Sequence, residues 1–430
     1  MTLPTAAAKG TGIPTQKWTA EPVFAIALCV LVGLRLALPY NAPLGGAVGL
    51  LLLPLWLPLL RRNRLFVALA VLLTAATATG LLLTWWLSAE RIAAPSSAIE
   101  RSALALCLLG AVGALLWART VVGLSAVSIA FGVGMFLGIA GDLDGTVSWR
   151  FTFSIPLTIL LMAIAARQGR FVPQLVVIVV LAGVGAVNDA RSNTAMLLLA
   201  AVVLIWQRIG TARGKARRRA GNIVGVALFG VAVFFIAQAA ILEGFFGEAT
   251  KDRTRAQIDE SGSLLLGGRP EIAASDALIR LHPLGMGSGI IASPADVTAA
   301  KSAMSAIGYD PNNNYVERFM FGGGIEVHSM LGDFWLWFGL PGVAVCIVIA
   351  TIAGLGLERA LRASACTGLA IYLATRLGWD LAFSPAVSAM KTLPLALVVL
   401  AVPVAAVIAQ RSSGRPSLPR GAAAADRRGT

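Results

Sequence analysis

Residues 65–87 read LFVALAVLLTAATATGLLLTWWL, an apolar stretch that contains no charged residue. A helix needs about 20 such residues to cross the hydrocarbon core of a bilayer. Similar runs recur along nearly the whole chain of 430 residues, of which 57% are hydrophobic and 13% are charged. The runs are continuous and do not alternate with polar residues, which excludes the strands of a membrane barrel. The sequence therefore predicts an all-α polytopic membrane protein.

The length criterion predicts about twelve spans. They lie at residues 23–39, 44–60, 65–87, 102–118, 121–140, 151–166, 171–187, 194–207, 223–242, 331–353, 365–384 and 391–409. Spans one to nine thus occupy residues 23–242, after an N-terminal segment at 1–22. Spans ten to twelve occupy 331–409, and the polar tail at 410–430 is predicted to be disordered. The remaining segment, 243–330, is the long connection between spans nine and ten.

Basic residues account for the net charge of +14, and they lie in short clusters between apolar runs. The clusters are Arg61 with Arg62 and Arg64, Arg167 with Arg170, and RIGTARGKARRR at residues 208–219. Basic loops between spans stay in the cytoplasm and attract anionic lipid headgroups, so this pattern favours a lipid bilayer over nucleic acid as the partner. With both termini in the cytoplasm, all three clusters are cytoplasmic, and the long connection faces outward across the cell membrane.

Metal or disulfide chemistry has little support in the sequence. The four cysteines, Cys29, Cys107, Cys346 and Cys366, lie within apolar runs and lack the spacing of metal ligands. In GDLDG, residues 141–145, Asp142 and Asp144 could hold a divalent cation, although a turn of Gly and Asp has the same letters. We therefore expect no bound metal and no other cofactor.

The long outer connection contains a predicted helix over residues 270–281. Pro270 and Glu271 form a typical helix start, and Pro283 ends the run. The apolar side consists of Ile272, Leu278, Ile279 and Leu281. This pattern predicts a short amphipathic helix that lies against the outer membrane face.

Three outward-facing stretches carry residue types that suit an anion. Arg191 lies in NDARSN at 188–193, Arg269 in GGRPEI at 267–272, and His328 ends NNNYVERFMFGGGIEVH at 312–328. Positive charge is disfavoured on this side of a membrane, so two arginines here suggest a function beyond topology. Arginine presents a rigid fork of donors to phosphate oxygens, and histidine can take a proton from a hydroxyl near neutral pH.

A glycine-rich loop, GMGSG at residues 285–289, lies between these stretches. Gly285, Gly287 and Gly289 would let the backbone approach a phosphate closely and offer it N–H groups. Tyr315 and Arg318 precede His328 and could contact a sugar, as could Glu317 and Glu326. Together these parts suit the transfer of a group from a diphosphate to a hydroxyl at the membrane surface.

Structural interpretations compete with each of these assignments. Arg191 could place its charge at a helix end, Arg269 could pair with Glu271 or Asp276, and His328 could be an interfacial histidine. His282 is explained by a cap at the end of the predicted helix. Arg376 and Asp380, four residues apart in span eleven, could form an ion pair or hold the glycan. Trp335 and Trp337 are typical of interfacial anchors.

The order of these motifs resembles the signature of the O-antigen ligases and O-antigen polymerases. The resemblance rests on Arg269, on PLGMGSG at 283–289, and on His328 followed by Gly339 and Gly342. The twelve-span layout with its large outer loop is similar too, as is an arginine at the outer end of span eight. Ala273 and Ser329 stand where members of that family commonly have Trp and Asn.

The resemblance implies a GT-C-like fold and an inverting glycosyltransferase that needs neither metal nor nucleotide sugar. Such enzymes move a glycan from an undecaprenyl diphosphate carrier to an acceptor hydroxyl of a glycan, lipid or protein. It implies that Arg191 and Arg269 hold the diphosphate, and that His328 activates the acceptor or stabilises the leaving phosphate.

Two other functional classes fit a twelve-span layout. A transporter or flippase of lipid-linked glycans would show internal repeats and broken helices near the midplane, and we find no six-plus-six repeat. A scaffold of an envelope assembly complex would tolerate substitution of the three candidate residues. Ligase and polymerase differ only in their acceptor, and the sequence leaves both open.

Overall fold

The computed structural model describes residues 20–139, 148–212, 255, 269–322 and 324–401. Within these ranges the chain is helical, without a β-strand beyond two isolated bridges. The α-helices are α1 (Ala20–Leu34), α2 (Leu44–Leu51), α3 (Leu53–Leu60), α4 (Arg64–Leu87), α5 (Pro95–Val122), α6 (Leu124–Gly138), α7 (Ser154–Arg167), α8 (Phe171–Val187), α9 (Arg191–Ala212), α10 (Glu271–Leu281), α11 (Pro294–Ala306), α12 (Met330–Phe338), α13 (Leu340–Arg362), α14 (Gly368–Phe383), α15 (Ala386–Ala389) and α16 (Leu393–Leu400). Short helical turns also occur at Pro39–Asn41, Trp149–Phe153 and Tyr315–Met320.

Five helices among the described residues are long and apolar enough to cross a bilayer. They are Arg64–Leu87, Pro95–Val122, Trp149–Arg167, Arg191–Ile209 and Leu340–Arg362. The apolar helices α1, α6 and α8 are shorter, at 15, 15 and 17 residues. These helices confirm a polytopic helical membrane protein. Twelve spans and a GT-C-like arrangement remain predictions, and span nine, at 223–242, lies outside the described residues.

Two predicted spans are broken in the structure. The span at 44–60 consists of α2 and α3, which meet at Leu52. The span at 331–353 is divided at Gly339, which has φ +65° and separates α12 from α13. A left-handed residue interrupts the helical hydrogen bonds, and the following Leu340-Pro341 starts a new helix because proline suits the first turn.

Glycines let α2 and α5 pack at close distance. A Cβ atom placed on Gly49 would lie 2.2 Å from the carbonyl oxygen of Gly110, and one on Gly110 would lie 2.2 Å from that of Gly46. The indole of Trp56 lies over Gly113 and donates from Nε1 to the Gly49 oxygen at 2.7 Å. Small residues at such an interface allow close contact, which drives helix association where lipid removes the hydrophobic effect.

The helix directions separate a basic end of the bundle from the opposite end, which we call the outer end because the long connection is predicted to face outward. Helix α4 starts at Arg64, after the basic turn at 61–64, and its last turn receives a hydrogen bond from Gly289 N to Thr84 Oγ1 at 2.9 Å. Helix α13 runs the opposite way, and Arg359 in its last turn lines the same cavity as Arg64. The basic turn therefore lies at one end of these helices, and the described part of the long connection lies at the other.

Helix α14 follows the same direction as α4. Its first residue, Gly368, donates to Gln174 Oε1 at 2.8 Å, and Gln207 Nε2 donates to the Cys366 oxygen at 3.1 Å. These glutamines lie close in sequence to Arg170 and Arg208. The opposite end of α14, at Phe383, contacts Arg269, so α14 also connects the basic end with the outer end.

Helix α10 occupies Glu271–Leu281, close to the predicted range, and the protein covers its apolar side only in part. Ala274 and Leu278 are fully buried, and α10 packs against α11 and α12. Leu281 is exposed, but it lies at the end of the helix. Of the four predicted apolar residues, Leu278 alone is buried, and Ile272 and Ile279 are half-buried, so contact of this helix with the membrane face stays a prediction.

We expect Gly110→Ala to destabilise the protein. The added methyl would meet the Gly46 carbonyl oxygen at 2.2 Å, so α2 would have to shift. Overpacking of this kind costs about 1–3 kcal/mol. Thermal unfolding of the purified protein in detergent measures this loss as a lower midpoint temperature.

Gly354→Ala in α13 is the matched control, because a Cβ atom there has no atom within 4 Å. Alanine also favours a helix over glycine, so this variant should be as stable as the parent protein or more stable. Equal midpoint temperatures for the two variants would contradict the close packing of α2 and α5.

Candidate functional site

Charged and aromatic side chains from three distant parts of the chain meet at the outer end of the bundle. The start of α10, the segment before α12 and the end of α14 contribute them. We call this group the outer cluster, and it consists of Arg269, Glu271, Tyr315, His328, Trp379 and Phe383.

Arg269 is held on one side of its guanidinium group. Nη1 donates to Glu271 Oε1 and to the Phe383 carbonyl oxygen, both at 3.2 Å. The guanidinium carbon lies 4.8 Å from the ring centre of Trp379 and 5.5 Å from that of Phe383, which adds cation–π attraction. Both hydrogen bonds use Nη1, and 27% of the side chain is exposed, so other donors of the fork can reach an anion.

Glu271 is a buried carboxylate, and Arg269 compensates its charge. Only 4% of its side chain is exposed, and a buried carboxylate needs a partner of opposite charge or strong hydrogen bonds. Tyr315 provides a second contact. Burial, together with the nearby Glu271 carboxylate, raises the pKa of the Tyr315 hydroxyl well above its ordinary value. Tyr315 therefore stays protonated and can donate to Glu271.

The ring of His328 contacts the ring of Tyr315 in a tilted arrangement, with ring centres 4.8 Å apart and an angle of 55° between the ring planes. Its Nδ1 lies 3.2 Å from the Glu326 carbonyl oxygen. A carbonyl oxygen only accepts, so Nδ1 carries the proton and Nε2 carries the lone pair of the neutral ring. Burial lowers the pKa of His328 below its ordinary value of 6.5. The imidazole is therefore neutral near pH 7, with a basic nitrogen at Nε2.

The backbone of His328 is strained as well. Its φ is +52°, in the left-handed region that costs a non-glycine residue about 1–3 kcal/mol. Such a conformation persists only where neighbouring contacts hold it. Here the backbone carbonyl oxygen of Glu326 accepts from Nδ1 of the His328 ring. The adjacent Ser329 donates from Oγ to the Leu381 oxygen at 3.2 Å. Ser329 thus ties the histidine segment to α14 while it caps α12 by accepting from Gly332 N.

Asp333 connects two sides of the outer cluster. Its side chain is fully buried, Oδ1 accepts from Val327 N at 2.7 Å, and Oδ2 accepts from Ala386 N at 2.8 Å. Val327 directly precedes His328, and Ala386 lies three residues after Phe383. The Asp333 side chain thus fixes the segment that carries His328 relative to the end of α14, which contacts Arg269.

Arg191 begins α9, and its Nε donates to Asp189 Oδ1 at 2.8 Å. Helix α9 packs along α14, where Tyr372 donates its hydroxyl proton to Asn193 Oδ1 at 2.7 Å. The structure therefore brings Arg269 and His328 into one cluster and places Arg191 on a helix that packs against α14. The convergence of Arg191 with the other two residues stays a prediction.

The glycine-rich loop has a different role from the predicted one. Every backbone N–H of residues 285–289 donates within the protein: the acceptors are the carbonyl oxygens of His282, Leu336 and Gly80 and the hydroxyl of Thr84. Because these donors are occupied, the assignment of Gly285, Gly287 and Gly289 as phosphate ligands is corrected. The loop fastens α12 to the outer end of α4, and the positive φ values of Gly285 and Gly287 permit its turns.

The other predicted contact residues lie apart from this chemistry or are already paired. Arg318 is exposed beside Phe319, with its guanidinium carbon 5.8 Å from the ring centre. Arg376 is largely buried, and its Nε donates to Asp380 Oδ2 at 3.2 Å, which favours the ion-pair interpretation. Asp142 and Asp144 lie outside the described residues, and those described contain no group of three metal-ligating side chains.

His282 has a structural environment. It ends α10, as predicted, and its Nε2 lies 2.7 Å from Asp296 Oδ1. Arg91 donates to Asp296 Oδ2 at 2.8 Å, which ties the loop helices to the turn between α4 and α5. Burial raises the pKa of the Asp296 carboxyl, but hydrogen bonds from His282, Ser293 and Arg91 outweigh this effect and hold the pKa well below its ordinary value.

Two buried charged residues escaped the sequence analysis. Arg101 in α5 donates to the Ser288 oxygen at 2.7 Å, and its guanidinium carbon lies 4.7 Å from the ring centre of Trp337. Asp333 is the other. Asp333 lies within the predicted span at 331–353, where an ionisable residue marks an interior or functional position, whereas Arg101 directly precedes the predicted span at 102–118. Trp337 is itself buried, so its prediction as an interfacial anchor was wrong.

No family model, curated protein or solved structure matches this chain. The function is therefore inferred from the geometry of the outer cluster.

We predict that Asp333→Asn displaces His328. An amide offers one acceptor oxygen in place of two, so the N–H of Val327 or Ala386 would lose its partner at a cost of about 1–3 kcal/mol. A lower thermal midpoint together with an altered imidazole NMR spectrum of His328 would support this. An unchanged His328 spectrum would contradict the connecting role of Asp333.

We predict that His328 titrates below pH 6.5, because burial opposes its protonation. NMR of labelled histidine is simple here, since the chain has only two histidines and His282→Gln leaves His328 alone. Glu271→Gln should lower the pKa of His328 further, because the Glu271 carboxylate raises it. A titration at or above 6.5 in the parent protein would contradict this environment.

The same shift affects stability. The unfolded chain takes up a proton at the ordinary pKa of 6.5, whereas folded His328 takes it up only at lower pH. The contribution of neutral His328 to folding is therefore fully present above pH 6.5 and is lost as the pH falls below that value.

Proposed function

We propose that this chain is a membrane glycosyltransferase of the O-antigen ligase and O-antigen polymerase type. The observation that carries the proposal is the outer cluster, in which a guanidinium group and a neutral imidazole share the neighbours Glu271 and Tyr315. A guanidinium suits a diphosphate leaving group, and the lone pair of Nε2 suits the proton of an acceptor hydroxyl.

The position of the cluster supports a site on the outer face of the cell membrane. It lies at the end of the bundle opposite the turn with Arg61, Arg62 and Arg64. Basic turns are retained in the cytoplasm, so the cluster would face outward, and both termini would be cytoplasmic if the number of spans is even. A lipid-linked donor would present its diphosphate at this depth.

The proposed reaction is a single displacement at the anomeric carbon of a glycan linked to undecaprenyl diphosphate. The acceptor oxygen forms a bond to that carbon while its proton passes to Nε2 of His328. The bond between the carbon and the diphosphate oxygen breaks, and its electron pair stays on the diphosphate. Attack opposite the leaving group inverts the configuration, in one step and with no role for a metal or other cofactor.

Charge balance in the cluster fits this step. Arg269 would neutralise the diphosphate as negative charge develops, and Arg191 would assist if it converges on the same pocket. Protonated His328 would then be an imidazolium close to Arg269, which is unfavourable by itself. The Glu271 carboxylate offsets this repulsion, because it favours the charged form of His328 while Arg269 disfavours it. Glu271 thus becomes a residue of the proposed site.

The acceptor decides between ligase and polymerase. A polymerase would use a growing carrier-linked chain, whereas a ligase would use a lipid, protein or other envelope glycan. Deletion of the gene distinguishes them: loss of long chains indicates a polymerase, and accumulation of full-length carrier-linked chains indicates a ligase.

We expect Arg269→Gln and His328→Asn each to lower transfer by roughly 10²-fold or more, because the first removes the cation that stabilises the leaving diphosphate and the second removes the general base. Asparagine tolerates the left-handed φ of residue 328, so the backbone should be preserved. The measurement is the amount of surface polymer in a deletion strain that carries each variant, together with the amount of protein in the membrane.

Arg280→Gln is the matched control, since Arg280 lies on α10 but is largely exposed and pairs with Asp276 at the surface. It should support normal polymer. Normal polymer in cells that carry Arg269→Gln or His328→Asn would refute the enzyme proposal and favour a scaffold. Glycan that is still assembled on the inner face of the membrane but no longer reaches the outer face would favour a flippase.

A further inference from the structure

A pair of arginines lines a cavity at the basic end of the bundle. A cavity of about 180 Å³ opens between the start of α4, the end of α13 and the end of α16. Arg64 and Arg359 line it together with apolar residues of the same helices. The cavity lies at the start of α4, a helix of 24 residues and about 36 Å, whereas the loop at residues 285–289 contacts the last turn of α4.

The two arginines are available to a ligand. Both side chains are exposed, and no carboxylate pairs with either of them within the described part of the chain. Glu358, the nearest acidic residue in sequence, pairs with Arg362 instead. Two guanidinium groups at one cavity repel each other unless an anion lies between them, and their forks match phosphate oxygens.

The walls of the cavity distinguish its ligand from a small soluble anion. Phe66, Ile352 and Leu400 are buried apolar residues in the wall. Inorganic phosphate would gain nothing from these side chains. A phospholipid carries a phosphate next to glycerol and acyl carbons, so it could contact the arginines and the apolar wall together. Because α4 and α13 both have the length of a membrane span, their ends lie at the depth of lipid headgroups.

We propose that this cavity binds the phosphate headgroup of an anionic phospholipid from the leaflet on the basic side. Arg64 and Arg359 would contact the phosphate oxygens, and the glycerol and first acyl carbons would contact Phe66 and Ile352. The bound lipid would connect α4 with α13, the helix that follows α12 and the His328 segment. Basic pockets between spans are sites of this kind.

The experiment uses the full-length chain, purified and reconstituted in phosphatidylcholine nanodiscs with increasing amounts of phosphatidylglycerol. Native mass spectrometry counts the lipids retained, and thermal unfolding reports stabilisation. We expect a retained phosphatidylglycerol and a higher midpoint temperature. Arg64→Gln with Arg359→Gln should weaken retention at least tenfold, whereas Arg167→Gln with Arg170→Gln, the matched control at the same end, should not.

Three results would overturn the proposal. Equal weakening by the two double variants would show attraction to general surface charge. Equal stabilisation by inorganic phosphate at matched concentration would show a simple anion site. Unchanged retention in the Arg64→Gln and Arg359→Gln variant would place the lipid elsewhere.

A folding defect in that double variant is resolved by Arg64→Lys with Arg359→Lys, which keeps the charge but loses the fork. Intermediate retention by the lysine variant would support direct contact with phosphate, and retention equal to that of the parent protein would contradict it. None of these measurements requires glycan transfer, so they stand or fall separately from the proposed enzyme.

Discussion

The two hydrogen bonds that Asp333 accepts are the constraint on which the outer cluster depends. A buried N–H without an acceptor is costly, so Val327 and Ala386 must stay where the two carboxylate oxygens meet them. This requirement fixes the segment before α12 against the turn after α14. It also helps to explain how His328 keeps a left-handed backbone, since such strain persists only where surrounding contacts leave no alternative. Asp333 therefore helps to position both the imidazole of His328 and the end of α14 whose Phe383 oxygen accepts from Arg269.

The two ends of the bundle hold their cations in different ways. At the outer end, Arg269 is paired with Glu271 and flanked by rings, and Arg101 is buried against Trp337. At the basic end, Arg64 and Arg359 are exposed and carry no carboxylate partner among the described residues. A cation on the outward side, where we predict the outer end to lie, needs specific contacts to be retained, whereas a cation in a cytoplasmic loop can remain in contact with water and lipid headgroups. Fixed cations suit a reacting centre, and exposed ones suit lipid binding.

The chemistry of the outer cluster rests on the balance between one cation and one carboxylate. Arg269 alone would attract a diphosphate but would oppose protonation of His328. Glu271 favours that protonation and reduces the net positive charge, so binding of a diphosphate and transfer of a proton to His328 would be compatible within the single step that we propose. Burial strengthens each of these effects, because the interior screens charges less than water does. The aromatic side chains of Tyr315 and Trp379 supply that burial without adding a competing charge.

The sequence by itself determined the membrane class, the basic end of the bundle, the bounds of α10 and the candidacy of Arg269 and His328. Hydropathy, helix capping and charge bias depend on residues that are close together in the sequence, which is why these predictions were possible. Tertiary structure decided that Asp333 joins the His328 segment to the turn after α14, that residues 285–289 use their donors internally, and that Trp337 is buried. The bond from Asp333 to Ala386 spans 53 residues, and the one from Arg101 to Ser288 spans 187. Hydrogen bonds between residues so far apart in sequence depend on how the helices pack, and no local pattern records that packing.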